Sequence, residues 1–255
     1  VNTLFGTGDK SLEEYAQSVG KSTEEVKDKY NSLLSAQDTV MKNAANAYMT
    51  AGVSANQYME QVTGFSASLI QSLSGDTEKA AEYADRALID MSDNANKMGT
   101  AMESIQWAYQ GFAKQNYTML DNLKLGYGGT KAEMERLIAD ASQMTDIQNE
   151  LNVSVQEGDL SFGNIVNAIS VMQKNLGIAG TTAKEAQTTI EGSTKMMRAS
   201  WENLLVGISD DTQDFEQLID NFVESTMYAF QNLAPRIQQS IVGVGKLVEG
   251  LAPIF

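Results

Sequence analysis

The chain has 255 residues, enough for one large domain or two small ones, and contains neither cysteine nor histidine. That composition excludes disulfides, thiol nucleophiles, serine–histidine pairs and zinc sites built on Cys or His. General base chemistry at neutral pH would fall to a carboxylate, lysine or tyrosine. Lys plus Arg is 18 against 33 for Asp plus Glu, so the formal charge of -15 repels nucleic-acid backbone and anionic lipid.

The first residue is Val1, and no basic-then-apolar leader follows. Residues 247–255 grow more apolar towards the end. Both features predict a fragment of a longer protein. No window of 18 apolar residues occurs, because Lys246 and Glu249 interrupt the last one, so this piece is expected to be soluble.

Helical periodicity dominates in chain order. Ser11 with Glu14, Ser22 with Glu25, Thr130 with Glu133, and Thr182 with Glu185 have capping-box spacing. Over 22–51, Val26, Tyr30, Leu33, Gln37, Val40, Ala44, Ala47 and Ala51 step by four and three, a heptad seam that Gly52 can stop. Ser54 opens the next run, which reaches Gly75.

Residues 76–115 carry the cleanest seam: Ala84, Leu88, Met91, Ala95, Met98, Met102, Ile105, Tyr109 and Phe112. It predicts one long helix, bent at Gly99, since a mid-helix glycine costs only about 1 kcal/mol relative to alanine. A glycine-rich joint follows. Then Met134, Leu137, Ile138 and Ala141 mark a helix over 130–146. Leu151, Val153 and Val155 alternate with polar residues and predict the single short strand.

Helices resume with Phe162, Ile165, Ile169, Met172 and Leu176, ended by Gly177. A second stripe is Ala183, Ala186, Ile190, Met197, Trp201, Leu204 and Ile208, which predicts Trp201 in the core. Phe215, Leu218, Phe222, Thr226, Phe230 and Leu233 form a third. Ile237, Ile241, Val244, Val248 and Leu251 form the last, with Pro235 suited to its first turn.

The expected fold is therefore all-α: long amphipathic helices in an elongated bundle or coiled-coil-like arrangement, with at most one short strand. The expected division is 1–75, 76–210 around the joint at 126–129, and 211–255. The last 55 residues hold eight acids and two bases and are the more acidic part.

Tests for chemistry point to structure. Asp90, Ser92 and Asn94 have the opening spacing of a calcium loop, but Ala95 and Ala101 replace the required glycine and glutamate, which favours a solvated helix face. Gly126-Tyr127-Gly128-Gly129-Thr130-Lys131 resembles a phosphate loop superficially, yet threonine precedes lysine and no apolar strand leads in. Backbone N–H groups at helix 130 could hold an anion. A tight joint is the favoured reading, with positive φ at Gly128 or Gly129 and Thr130 as cap. Six of the 13 methionines (Met91, Met98, Met102, Met134, Met172 and Met197) lie on apolar stripes and read as packing. Trp107 lies off its seam and is free for another contact.

Three blocks resemble bacteriophage tail tape measure proteins. The first, 116–137, includes Asp121, Asn122, Leu123, Gly126, Gly128, Gly129, Thr130 and Glu133. The second, 173–186, includes Gly177, Gly180, Thr181, Thr182 and Glu185, followed by 189–193 and Trp201. The third is 90–100. The resemblance covers about residues 50–210. Ser170 stands where many such relatives are expected to carry histidine.

The resemblance implies a non-enzymatic, cofactor-free structural protein that sets tail-tube length and aids genome ejection. It implies a place in the virion tail lumen, and in the host bacterial cytoplasm during assembly. Tail tube protein, assembly chaperones and tail initiator or baseplate proteins are the implied partners, with homo-oligomerisation. Host-membrane contact is implied only through downstream regions, and specific nucleic-acid binding by this segment is not expected. The competing readings are a membrane-acting, pore-forming helical protein and a peptidoglycan-cleaving enzyme.

Overall fold

The computed structural model describes residues 3–208 and 214–251, with side chains up to residue 240. Among the described residues 76% are helical, in 11 α-helices, and no strand occurs. The first three helices are α1 (Leu12–Val19), α2 (Thr23–Thr50) and α3 (Ala55–Ser72). The capping boxes at Ser11–Glu14 and Ser22–Glu25 both form. Ser54 with Gln57 makes a third. Each satisfies two N–H groups that a helix start leaves orphaned. Gly52, at φ 66°, closes the end of α2 as expected.

The long helix expected over 76–115 is two helices, α4 (Thr77–Met98) and α5 (Met102–Phe112). Gly99 adopts the left-handed conformation, φ 66°, and its N–H bonds the carbonyl of Ala95, which terminates α4. The apolar seam survives the break: Leu88 and Met91 before it, and Ile105, Tyr109 and Phe112 after it, are all buried. Periodicity therefore masked a turn that preserves facing.

Next come α6 (Lys131–Ser142) and α7 (Thr145–Leu151). The strand expected at 151–155 does not form. Leu151 ends α7, Asn152 turns left-handed at φ 50°, and the amide of Gln148 takes the role of a partner strand. Its Nε2 donates to the Ala141 carbonyl at 2.9 Å, and its Oε1 accepts from Val155 N at 2.9 Å.

The remaining helices are α8 (Phe162–Asn175), α9 (Thr181–Thr188), α10 (Ile190–Gly207) and α11 (Phe215–Leu251). Pro235 lies inside α11 instead of opening a separate helix. Its missing N–H falls where the helix is exposed, so water can satisfy the freed carbonyl. The side chains of Ile241, Val244, Val248 and Leu251 lie outside the described residues.

The helix α4 sits at the centre, packed against α2, α3, α5, α8 and α9. One buried cluster runs from Phe5 to Ile178 and draws on both sides of position 75. Within it, Tyr109, Phe112 and Tyr117 form an aromatic chain with centroids 5.8 and 6.5 Å apart. Such pairs contribute about 0.5–1.5 kcal/mol each beyond burial.

A smaller cluster of Tyr48, Ala186, Met196 and Ala199 joins α10 to α2 and α9. Here the expected seam is displaced by one position: Met196 is buried while Met197 is only half-buried. Trp201 is 44% exposed and not in the core. The cause is that α10 is shared between α9 and α11, so no single stripe describes its buried face. No helix among the described residues is long and apolar enough to cross a membrane.

Candidate functional site

The three sequence blocks meet on the C-terminal half of α4. That half is not a solvated face: Asp90, Ser92, Asp93 and Asn94 are all buried. Asp93 reaches the start of α9 and accepts from Gly180 N at 2.6 Å and Thr182 N at 2.7 Å. A carboxylate from another helix thus caps α9, where the N–H groups and helix dipole favour negative charge. The expected Thr182–Glu185 box does not form, because Thr182 lies within the first turn and Gly180, at φ 79°, holds the cap position.

Asn94 ties α4 to the other block. Its Nδ2 donates to the Leu123 carbonyl at 2.8 Å. Thr100 Oγ1 donates to the Asn122 carbonyl at 2.9 Å, and Lys124 Nζ to the Met98 carbonyl at 2.8 Å. Asp121 is exposed at the start of a 3-10 turn, Leu120–Leu123, while Leu123 itself is fully buried.

The joint at 124–136 closes on itself. Gly126, at φ 89°, carries the left-handed conformation, and neither Gly128 nor Gly129 does. Gly129 is needed for another reason: a Cβ there would lie 2.2 Å from the Thr118 carbonyl oxygen. Thr130 accepts from Glu133 N at 3.2 Å. The Glu133 carboxylate accepts instead from Gly128 N at 3.0 Å and from Arg136 at 2.7 Å. These bonds, Arg136 first, hold the Glu133 carboxyl down to about 2. The anion at this helix start is therefore the protein's own Glu133. Arg136 also donates to the Gly126 carbonyl and lies 4.2 Å over the Tyr127 ring, whose hydroxyl donates to Asp140 at 2.6 Å.

Parallel to α4 runs α8, joined by a polar ladder. Arg86 donates to Asn167 Oδ1 at 3.0 Å, and the Ser170 hydroxyl donates to Asp90. Burial, foremost, and the nearby Asp93 push the Asp90 carboxyl up to about 7 against the Ser170 bond. Asp93 and Asp85 are raised for the same first reason. Beside the ladder lies a cleft of about 460 Å³, lined by Asn43, Glu82, Asp85, Arg86, Asp90 and Ser170 among others. Among the described residues, no group of three or more Asp or Glu side chains is arranged to hold a metal ion.

The expected site residues divide clearly. Leu123, Gly180, Thr181 and Thr182 meet α4, and Asn122 meets Thr100 just beyond its end; Gly126, Gly128, Gly129, Thr130 and Glu133 build the adjoining joint. Gly177, at φ 66°, turns the chain out of α8, and the Glu185 carbonyl accepts from Thr189 at the α9–α10 corner. Trp201 is not brought to this site; it packs on Phe222 of α11 at 5.1 Å. Asp93 and Ser170 were the residues not singled out as partners. The run of small polar residues at 92–94 lies between the seam positions Met91 and Ala95 and leaves the seam intact, so periodicity gave no signal for Asp93. No family model, curated protein or solved structure matches the chain.

Proposed function

We propose that the chain is the signature region of a bacteriophage tail tape measure protein, a non-enzymatic structural component of tail assembly. The observation that supports this most is that the three blocks carrying the resemblance interlock through Asp93 and Asn94. Residues related by role in one folded unit would be kept together for docking or initiation. The tail tube protein, assembly chaperones and initiator or baseplate proteins are the partners of this reading. The tail lumen, and the host cytoplasm before it, are its locations.

Within such a protein this region acts as a folded assembly unit and not as the measuring rod. Its helices turn back across a shared core, so their rise does not add along one axis. Removing residues 82–88 from α4 is expected to abolish tails. A rod would instead give tails shorter by about 10 Å, at about 1.5 Å per residue. Electron microscopy of the mutant particles separates these outcomes. Mass spectrometry of purified wild-type tails tests the reading itself, which fails if tails lack peptides of this chain.

A further inference from the structure

The hairpin of α10 and α11 holds together by one side only. Leu218 and Ser225 of α11 are buried, with Ser225 Oγ 2.5 Å from Ser200 Oγ. Asn232 Nδ2 donates to the carbonyls of Gln187 and Thr189. On the opposite side Ile219, Val223, Met227 and Phe230 are exposed, Phe230 by 66%. Steps of four, four and three put these on one helix face.

Trp201 and Leu205 of α10, with Ile208 at its C-terminal cap, step by four and three and are also exposed, Ile208 by 63%. Trp201 packs on the half-buried Phe222, the chain neighbour of Val223, with ring centroids 5.1 Å apart, so the two rows approach each other there. Exposed apolar surface of this kind marks an interaction site. Its edge on α11 is acidic: Glu216, Asp220 and Glu224 recur every fourth residue, are exposed, and make no ion pair among the described residues.

We infer that this surface docks a basic amphipathic helix of a partner protein. Apolar residues of that helix at i, i+4 and i+7 would settle across the two rows, and Lys or Arg on its flank would face Glu216, Asp220 and Glu224. Charge selects the occupant. A second copy would bring the same acidic row and a further formal charge of -15, and an anionic membrane is repelled for the same reason. The face would take such a helix whatever assembly the chain serves.

The probe is a synthetic leucine-faced helix about five turns long with lysine flanks, and its glutamate-flanked counterpart is the control. Calorimetric titration should show salt-sensitive binding of the lysine probe alone. Reversing Glu216, Asp220 and Glu224 to lysine should weaken binding at least about tenfold. The same reversal at the exposed Glu13, Asp28 and Asp38 should not. Val223→Asp, or Val223→Ser, should also weaken binding with helicity unchanged by circular dichroism. Equal effects from both triple reversals, or equal binding of the glutamate-flanked peptide, would overturn the inference. Sedimentation of the chain alone as a dimer that Val223→Asp dissolves would overturn it in favour of a second copy. Co-sedimentation with neutral phosphatidylcholine vesicles, lost in Val223→Asp, would overturn it in favour of lipid.

Discussion

Between Asp90 and Thr182 the chain buries carboxylates and amides, and between Trp201 and Ile237 it exposes tryptophan, phenylalanine and isoleucine. The first region spends polar groups on contacts with fixed direction: Asp93 to two N–H groups, Asn94 to one carbonyl. A hydrogen bond has an angle and a length, so these contacts set which turn meets which. The second region presents apolar area, which attracts without direction and needs a complementary surface to become specific. In one region directed contacts join three segments of the chain; in the other apolar area is left uncovered.

Substitutions sharpen that contrast, beginning with the joint. Gly129→Val should cost about 4 kcal/mol or more, because a backbone carbonyl cannot move aside as a side-chain tip can. Gly126→Ala meets nothing within 4 Å and should cost only about 1–2 kcal/mol for its left-handed backbone. Thermal melts that rank the two in reverse would break the close-approach account of Gly129.

Acidity offers the next test. The folded-state Asp90 carboxyl, near 7, lies above its ordinary value of 3.8, so the folded chain retains a proton that the unfolded chain releases. Stability should therefore fall as pH rises from about 4 to about 7, by about 1.4 kcal/mol per unit at most, and level off above. Asp93, raised by burial, acts in the same direction. Asp90→Asn should flatten the profile when melts are compared from acid to mild alkali. An unchanged profile would show that Asp90 is not the titrating group.

Capping comes third. Asp93→Ala leaves Gly180 N and Thr182 N without their acceptor and should cost about 2 kcal/mol. Hydrogen exchange at the start of α9 should rise before exchange elsewhere. In the hairpin the smallest effect is expected: Ile219→Ser within about 0.5 kcal/mol, beside about 2 kcal/mol or more for the buried neighbour Leu218→Ala. Chemical denaturation of the two variants checks whether α11 presents the face described.

Legibility followed the range of the interaction. Ser11–Glu14 and Ser22–Glu25 act within one turn, and both were readable from spacing. Thr130 with Glu133 was read as a capping box, but only the Thr130 half forms; the Glu133 carboxylate turns to Gly128 and Arg136, which the shape of the joint decided. The alternation at 151–155 misled because Gln148, from within α7, supplied the bonds a strand would otherwise require. Trp201 misled because a stripe identifies an apolar face without saying whether anything covers it.

By itself the sequence determined that the chain is helical, where α2 stops, which face of α2 is buried, that the seam residues Leu88, Met91, Ile105, Tyr109 and Phe112 are buried, and that Cys and His chemistry is absent. These follow from propensity, period and composition, which are local properties. Only the tertiary structure decided that Asp93 caps a helix 87 residues away, that Asp90 meets Ser170, and that α11 keeps an apolar face in the open. Those outcomes depend on which surfaces meet, and a repeat along one helix carries no record of the helix packed against it.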